Sequence, residues 1–272
     1  MFFVEPVTGA IVGKIWEERR LVAQFTRDFY ELLKGGRLHI FVFGEGGAGK
    51  STFGKILDGQ EDVSQISGEY NLSSTTEQYG LKGKLFVRVH VPPGQQAYQA
   101  RDWGPLFNAL QGAERAIIVN VVCWGFQSVE KRDLESIPEF SNGVSQQSKE
   151  QFLSNRRSEE VRSLQLLVQP LQSYAHKISM LTLVTKQDLW WKDRQSVQQF
   201  YETGAYSTEI EKIRKVKGEA NFVHEYRSVS FGQINFKTAD SHVLFGTAEG
   251  YDNVVLNANF KNFLSLLRQI AK

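Results

Sequence analysis

Residues Gly44 to Ser51 read Gly-Glu-Gly-Gly-Ala-Gly-Lys-Ser. They stand between a short apolar, β-branched and aromatic run, Leu38 to Phe43, and a segment of helical character from Ser51 to Leu57. Nothing else in the chain restricts its fold as strongly. Glycines at this density let backbone N–H groups turn inward around an anion. The lysine that follows reaches the β and γ oxygens of a phosphate chain, and a hydroxyl at the helix start is placed to ligate Mg²⁺. At average residue frequencies this spacing arises by chance about once in a hundred chains of such length. Gly44, Glu45, Gly46, Gly47, Ala48, Gly49, Lys50, Ser51 and Thr52 are therefore the candidate phosphate-binding residues, and the order strand, loop, helix predicts an α/β domain.

The remaining pattern agrees. Leu85, Val87, Val89 and Val91 alternate with Phe86, Arg88 and His90, as in a half-buried strand. Ala116 to Val122 and Leu181 to Val184 read as central parallel strands, with a helix from about Glu159 to His176 between them. A strand at Phe222 to Val229, a hairpin around Asp240 to Gly250, and an amphipathic helix carrying Phe260, Phe263, Leu264, Leu267 and Ile270 complete the chain. The expected fold is a mixed, mostly parallel sheet with helices on both faces, over residues 37–272. Ahead of it, Ile11, Ile15, Val22, Phe25, Phe29 and Leu32 share one helical face, so 1–36 reads as an N-terminal helical extension. Residues 125–157 are rich in Ser, Gln and Glu without a clear period, and are expected to be a surface insertion, partly helical at best.

Composition narrows the setting. With 41% hydrophobic and 23% charged residues the chain can bury a real core. Lys plus Arg number 32 against 30 Asp plus Glu, too even a balance to argue for a nucleic-acid partner or an anionic membrane. The most apolar stretch, Ala116 to Trp124, is nine residues long, where a membrane span needs about 20. A single cysteine, Cys123, suits a reducing compartment, so the expected location is cytoplasmic.

Thr185-Lys186-Gln187-Asp188 directly follows a predicted strand, about 135 residues beyond the glycine loop. An aspartate there can accept both the N1–H and the exocyclic N–H of guanine while the lysine stem covers the base; adenine offers no such donor pair. At Val91-Pro92-Pro93-Gly94-Gln95 the Gly94 N–H can reach a γ-phosphate without a Cβ in the way, and Gln95 is placed to orient an attacking water.

Taken along the chain, Gly44 to Ser51, then Val91 to Gln95, then Thr185 to Asp188, the motifs resemble the Ras-like and Arf-like small GTPases, a branch of the P-loop GTPases, over roughly Leu38 to Lys272. The resemblance implies a guanine-nucleotide-dependent switch using GTP, GDP and Mg²⁺, with protein partners engaged through the switch loops or the N-terminal helix. It implies catalysis assisted by Gln95, metal held by Ser51 and by one of Ser73, Ser74, Thr75 and Thr76, with Thr75 carried as the candidate, and guanine O6 met by backbone N–H groups at Ser228-Val229 or at Ser230-Phe231. The chain departs from the family at Val91, where the family has the aspartate that holds Mg²⁺ through a water; neither His90 nor Pro92 replaces it. Hydrolysis is accordingly expected to be slow or partner-dependent. Two other readings share the glycine loop: a module of the same fold that holds nucleotide without hydrolysing it, and an ATP-using protein in which Thr185 to Asp188 is only a loop.

Overall fold

The computed structural model describes residues 38–58, 77–80, 87–91, 96–128, 137–237 and 243–271. The extension 1–36, Ser73 to Thr76, Gly94 and Gln95 lie outside them. The sheet is built from β1 (Leu38–Phe43), β2 (Glu77–Gly80), β3 (Val87–Val91), β4 (Arg115–Val122), β5 (Ile178–Val184) and β6 (Phe222–Ser228), in the order β2-β3-β1-β4-β5-β6. All neighbours are parallel except β2, which runs antiparallel to β3. The mixed, mostly parallel sheet expected from the sequence is thus present. β1, β4 and β5 are buried along almost their whole length, as central parallel strands covered on both faces must be. In β6, at the sheet's edge, only Phe222 is fully buried.

The helices are α1 (Lys50–Asp58), α2 (Gln96–Gln111), α3 (Gln146–Gln165), α4 (Val168–Ser173), α5 (Gln187–Trp190), α6 (Arg194–Glu202), α7 (Ala205–Lys217) and α8 (Asn253–Ile270). Parallel strands are joined by right-handed crossovers. The path turns back after β3 to reach β4, so α1 covers one face and the helices between later strands cover the other. The packing agrees: Phe53 of α1 meets Phe263 of α8 edge-on with centroids 5.9 Å apart, while α7 lies against α3, α4 and α6. The closing helix α8 buries Leu256, Phe260, Phe263, Leu264 and Leu267, and Asp252 caps it by accepting the N–H groups of Val254 and Val255, each at 2.9 Å. Before it, the predicted hairpin is a two-stranded ribbon of β7 (Phe236–Lys237) and β8 (Val243–Phe245).

One helix departs from its expected bounds. Within the expected insertion 125–157, residues 146–157 belong to α3, a 20-residue helix opened by a Ser145–Ser148 capping box, and Phe140 and Phe152 on either side of that cap are buried and stacked 5.4 Å apart. The helix predicted over Glu159 to His176 is instead the last part of α3 followed by the short α4. The helical period failed because α3 turns polar residues, Glu160 and Ser163, into the protein alongside Phe152 and Leu164.

Candidate functional site

Between β1 and α1 the chain turns through the glycine loop with Gly44, Gly47 and Gly49 at φ of +129°, +72° and +100°. A Cβ at Gly44 would stand 2.0 Å from the Val121 carbonyl oxygen, and one at Gly47 would stand 2.4 Å from the Ser128 nitrogen. The loop is therefore pressed against β4 and the segment that leaves it, and Ser128 donates its N–H to the Gly47 carbonyl at 3.2 Å. Lys50, 6% exposed at the first position of α1, reaches back to donate to the Glu45 carbonyl at 2.7 Å, so its ammonium spans the loop. Ser51 and Thr52 follow, both partly exposed, in the first turn of that helix. The Glu45 carboxylate accepts from the Ser163 hydroxyl of α3.

Residues 185–188 lie beside this loop because β5 is separated from β1 only by β4. The Thr185 hydroxyl lies 2.6 Å from the Ala48 carbonyl and 3.1 Å from that of Val122, and its single proton favours the nearer. Lys186 adopts a left-handed backbone, φ +55°, and its ammonium donates to the Phe126 carbonyl at 2.5 Å and to Ser128 Oγ at 2.8 Å. Burial pulls its pKa below the ordinary lysine range, against the opposing pull of Cys123, Asp188 and Glu160.

Asp188 is 2% exposed. Its Oδ2 accepts the Ile234 N–H at 3.0 Å, and its Oδ1 lies 2.6 Å from Ser230 Oγ, which also lies 2.5 Å from the Gly232 carbonyl oxygen, so the one hydroxyl proton serves either acceptor. Burial raises the Asp188 pKa, and the bonds from Ser230 and Ile234 pull it back. Each carboxylate oxygen has two acceptor directions, so these contacts leave Asp188 able to take further donors.

Of the two alternatives after β6, the structure brings Ser230, and not Ser228, against Asp188. Ser228 Oγ pairs with the Tyr226 hydroxyl at 2.9 Å, and Val229 is occupied in backbone bonds, donating to Val184 at 2.9 Å and accepting from Gln187 at 3.4 Å. Val91 ends β3, in register with Glu77 of β2 and one residue beyond the His90–Phe41 pair.

Sequence reasoning missed the layer behind the loop. Glu160 of α3, 1% exposed, accepts the N–H groups of Cys123 at 2.9 Å and Gly125 at 3.1 Å and the Gln127 amide at 3.2 Å on Oε1. On Oε2 it accepts from the Tyr201 hydroxyl of α6, which in turn accepts the Trp124 N–H at 3.0 Å. Burial raises the Glu160 pKa, opposed by the bonds from Tyr201, Cys123 and Gly125, and pushes those of Tyr201 and Cys123 well up. Among the described residues, each hydrogen-bond partner of the carboxylate named here is a donor, which is the arrangement its ionised form requires. A buried Glu and Ser three residues apart on a polar helix carry no spacing signature that would have singled them out.

No protein-family model matches the sequence, and no curated protein does. Among solved structures, the chain is similar to the ADP-ribosylation-factor-like GTP-binding protein, the small COPII coat GTPase Sar1, from Encephalitozoon cuniculi in complex with GDP, at 12% identity and a TM-score of 0.47 over 98% of this chain and 94% of that one. It is similar to Toc33 from Arabidopsis thaliana at 12% identity and 0.46, covering 95% of each chain. The mammalian SRP receptor is similar at 15% identity and 0.42, over 86% of this chain and all of that one. Among the described residues, no helix is long and apolar enough to cross a membrane.

Proposed function

We propose that this chain is a guanine-nucleotide-binding protein of small-GTPase type that holds the phosphates on Gly44 to Ser51 and the base at Lys186 and Asp188, and that its GTP hydrolysis is slow or needs a partner. The observation that carries the reading is the junction of the two elements: Thr185 bonds to the loop at Ala48, and three residues on, Asp188 presents a carboxylate that already takes a backbone N–H from Ile234. A group that accepts an amide N–H in that place is suited to the N1–H and exocyclic N–H of guanine. The Ser230-Phe231 backbone is then the segment beside guanine O6.

The residues fit a phosphate chain well: a positive-φ glycine turn, an ammonium across it and a helix N-terminus behind it. They fit Mg²⁺ in part. Ser51 supplies a hydroxyl, Thr75 is the candidate for a second, and Val91 supplies no carboxylate. That favours a second reading, a module that binds GTP and keeps it. The N-terminal extension 1–36, read as helical from its sequence alone, and the switch loops are the candidate surfaces for a protein partner, in a reducing compartment such as the cytoplasm.

Denaturing the purified protein and identifying the released nucleotide by chromatography tests the proposal. GDP is expected; GTP alone supports the non-hydrolysing module, and an adenine nucleotide, or none together with no GDP binding on titration, overturns it.

A further inference from the structure

At the end of β4 three successive backbone N–H groups, those of Cys123, Trp124 and Gly125, turn inward onto one hydrogen-bonded pair: the first and third donate to the Glu160 carboxylate and the second to the Tyr201 hydroxyl. Such a concavity of N–H groups binds an anion, and here the anion is the protein's own carboxylate. The turn it holds is one the sequence would not choose unaided. Trp124 takes φ +57° and Gly125 φ +82°, and a large side chain seldom adopts the left-handed region. A Cβ at Gly125 would stand 2.5 Å from the Leu153 carbonyl, so the turn also lies directly on α3.

What this turn carries comes within the next three residues. Phe126 offers its carbonyl, and Ser128 its hydroxyl, to Lys186, while Ser128 gives its N–H to Gly47 of the glycine loop. We infer that Glu160 is a positioning residue for the nucleotide site, acting through the Cys123 to Ser128 turn to seat Lys186 and Gly47 against each other. The inference rests on the function proposed above. Without the carboxylate, the inward N–H groups of Cys123 and Gly125 are buried and unpaired. The turn relieves them by leaving the left-handed region, which withdraws the Phe126 carbonyl and Ser128 from the lysine and the loop. Tyr201 is the second support, since its hydroxyl holds the Trp124 N–H and binds Glu160.

A role confined to stability predicts something different from a role in positioning, so the variants are compared with a control of matched destabilisation. Release of N-methylanthraniloyl-GDP is measured by stopped flow for wild type, Glu160→Leu, Glu160→Gln, Tyr201→Phe and Phe260→Leu, the last in α8 away from the turn, with melting temperatures in parallel. Loss of hydrogen bonds to a charged acceptor is expected to speed release about 10- to 100-fold in Glu160→Leu. Glu160→Gln keeps an oxygen for Cys123 and Gly125 and is expected to stay within about 3-fold, and Tyr201→Phe to fall between the two. Phe260→Leu is expected to lower the melting temperature and leave release unchanged. Release from Glu160→Leu that only matches Phe260→Leu at equal melting temperature overturns the inference. If Glu160→Leu does not fold, Tyr201→Phe decides: release at the wild-type rate overturns it, faster release supports it. Wild type that binds no guanine nucleotide overturns the functional proposal and this inference together, whereas tight wild-type binding with indifferent variants removes this inference alone.

Discussion

Thr185 and Ala48 stand 137 positions apart in the chain and are joined by a 2.6 Å hydrogen bond, the threonine hydroxyl donating to the alanine carbonyl. Both residues are fully buried, so neither group has water as an alternative partner. Thr185→Val keeps the shape and deletes the donor. It is expected to cost about 1 to 3 kcal/mol of stability, the penalty for a buried carbonyl left without its partner. Chemical denaturation measures that loss, and unchanged stability would show that the bond contributes nothing net.

Asp188→Asn exchanges an acceptor for a donor where the base is proposed to sit. A site that pairs buried donors rejects a base lacking them by about 10⁴-fold or more, so the variant is expected to lose GDP and gain xanthosine diphosphate. Calorimetry with both nucleotides reads the exchange. Equal binding of GTP and ATP by the wild type would place the base elsewhere.

Gly47 and Gly143 separate two causes of glycine dependence. Both are left-handed, with φ +72° and +94°, but a Cβ at Gly143 meets nothing within 4 Å, whereas one at Gly47 strikes Ser128. Gly143→Ala is expected to cost about 1 kcal/mol from backbone strain alone. Gly47→Ala should cost more and weaken nucleotide binding, because the contact can be relieved only by pushing Ser128 off the loop. Equal losses in the two variants, measured by urea denaturation, would contradict the contact argument.

His224 sets a pH limit. Its Nε2 lies 2.9 Å from the Thr182 hydroxyl, and burial, with the charge of Arg214, holds its pKa at about 4 instead of 6.5. A depressed pKa means the unfolded chain takes up the proton first as pH falls. The stabilisation is therefore complete above about 6.5 and is lost on the way down to about 4. By pH 5 the loss amounts to about 2 kcal/mol. Urea denaturation at pH 7.5 and pH 5 should show this fall in wild type and a smaller one in His224→Gln; identical falls would assign the pH dependence to other groups.

Val91→Asp tests the departure at the end of β3. Intrinsic hydrolysis in small GTPases is already near 10⁻⁴ per second, so the wild type is expected to turn over at that rate or slower. Restoring the carboxylate should raise the dependence of GTP affinity and single-turnover hydrolysis on Mg²⁺. Rapid, Mg²⁺-dependent hydrolysis by the isolated wild type would show that another carboxylate serves the metal.

What could be read from the sequence was whatever obeys a local rule. Leu38 to Phe43 is a strand within its predicted bounds, because an apolar β-branched run between turn signals has few other uses. The glycine loop was legible because positive φ admits little else. The choice between Ser228 and Ser230 was not, since it depends on how far β6 extends before the chain bends back over Asp188, and strand ends are set by tertiary contacts. Glu160 was invisible for the converse reason: a carboxylate on an aperiodic helix looks solvated until the Cys123 turn is folded onto it.

Glu160 and Ser163 lie three residues apart on α3, a separation of about 4.5 Å along the helix axis. One grips the turn that receives Lys186, and the other grips Glu45 in the glycine loop. The two ends of the site are thus geared to a single turn of one helix. A slip of α3 by one residue, about 1.5 Å and 100° of rotation, unseats both grips at once. Whatever moves that helix acts on the glycine loop and on the turn that receives Lys186 in step, and neither can be loosened through α3 while the other is kept.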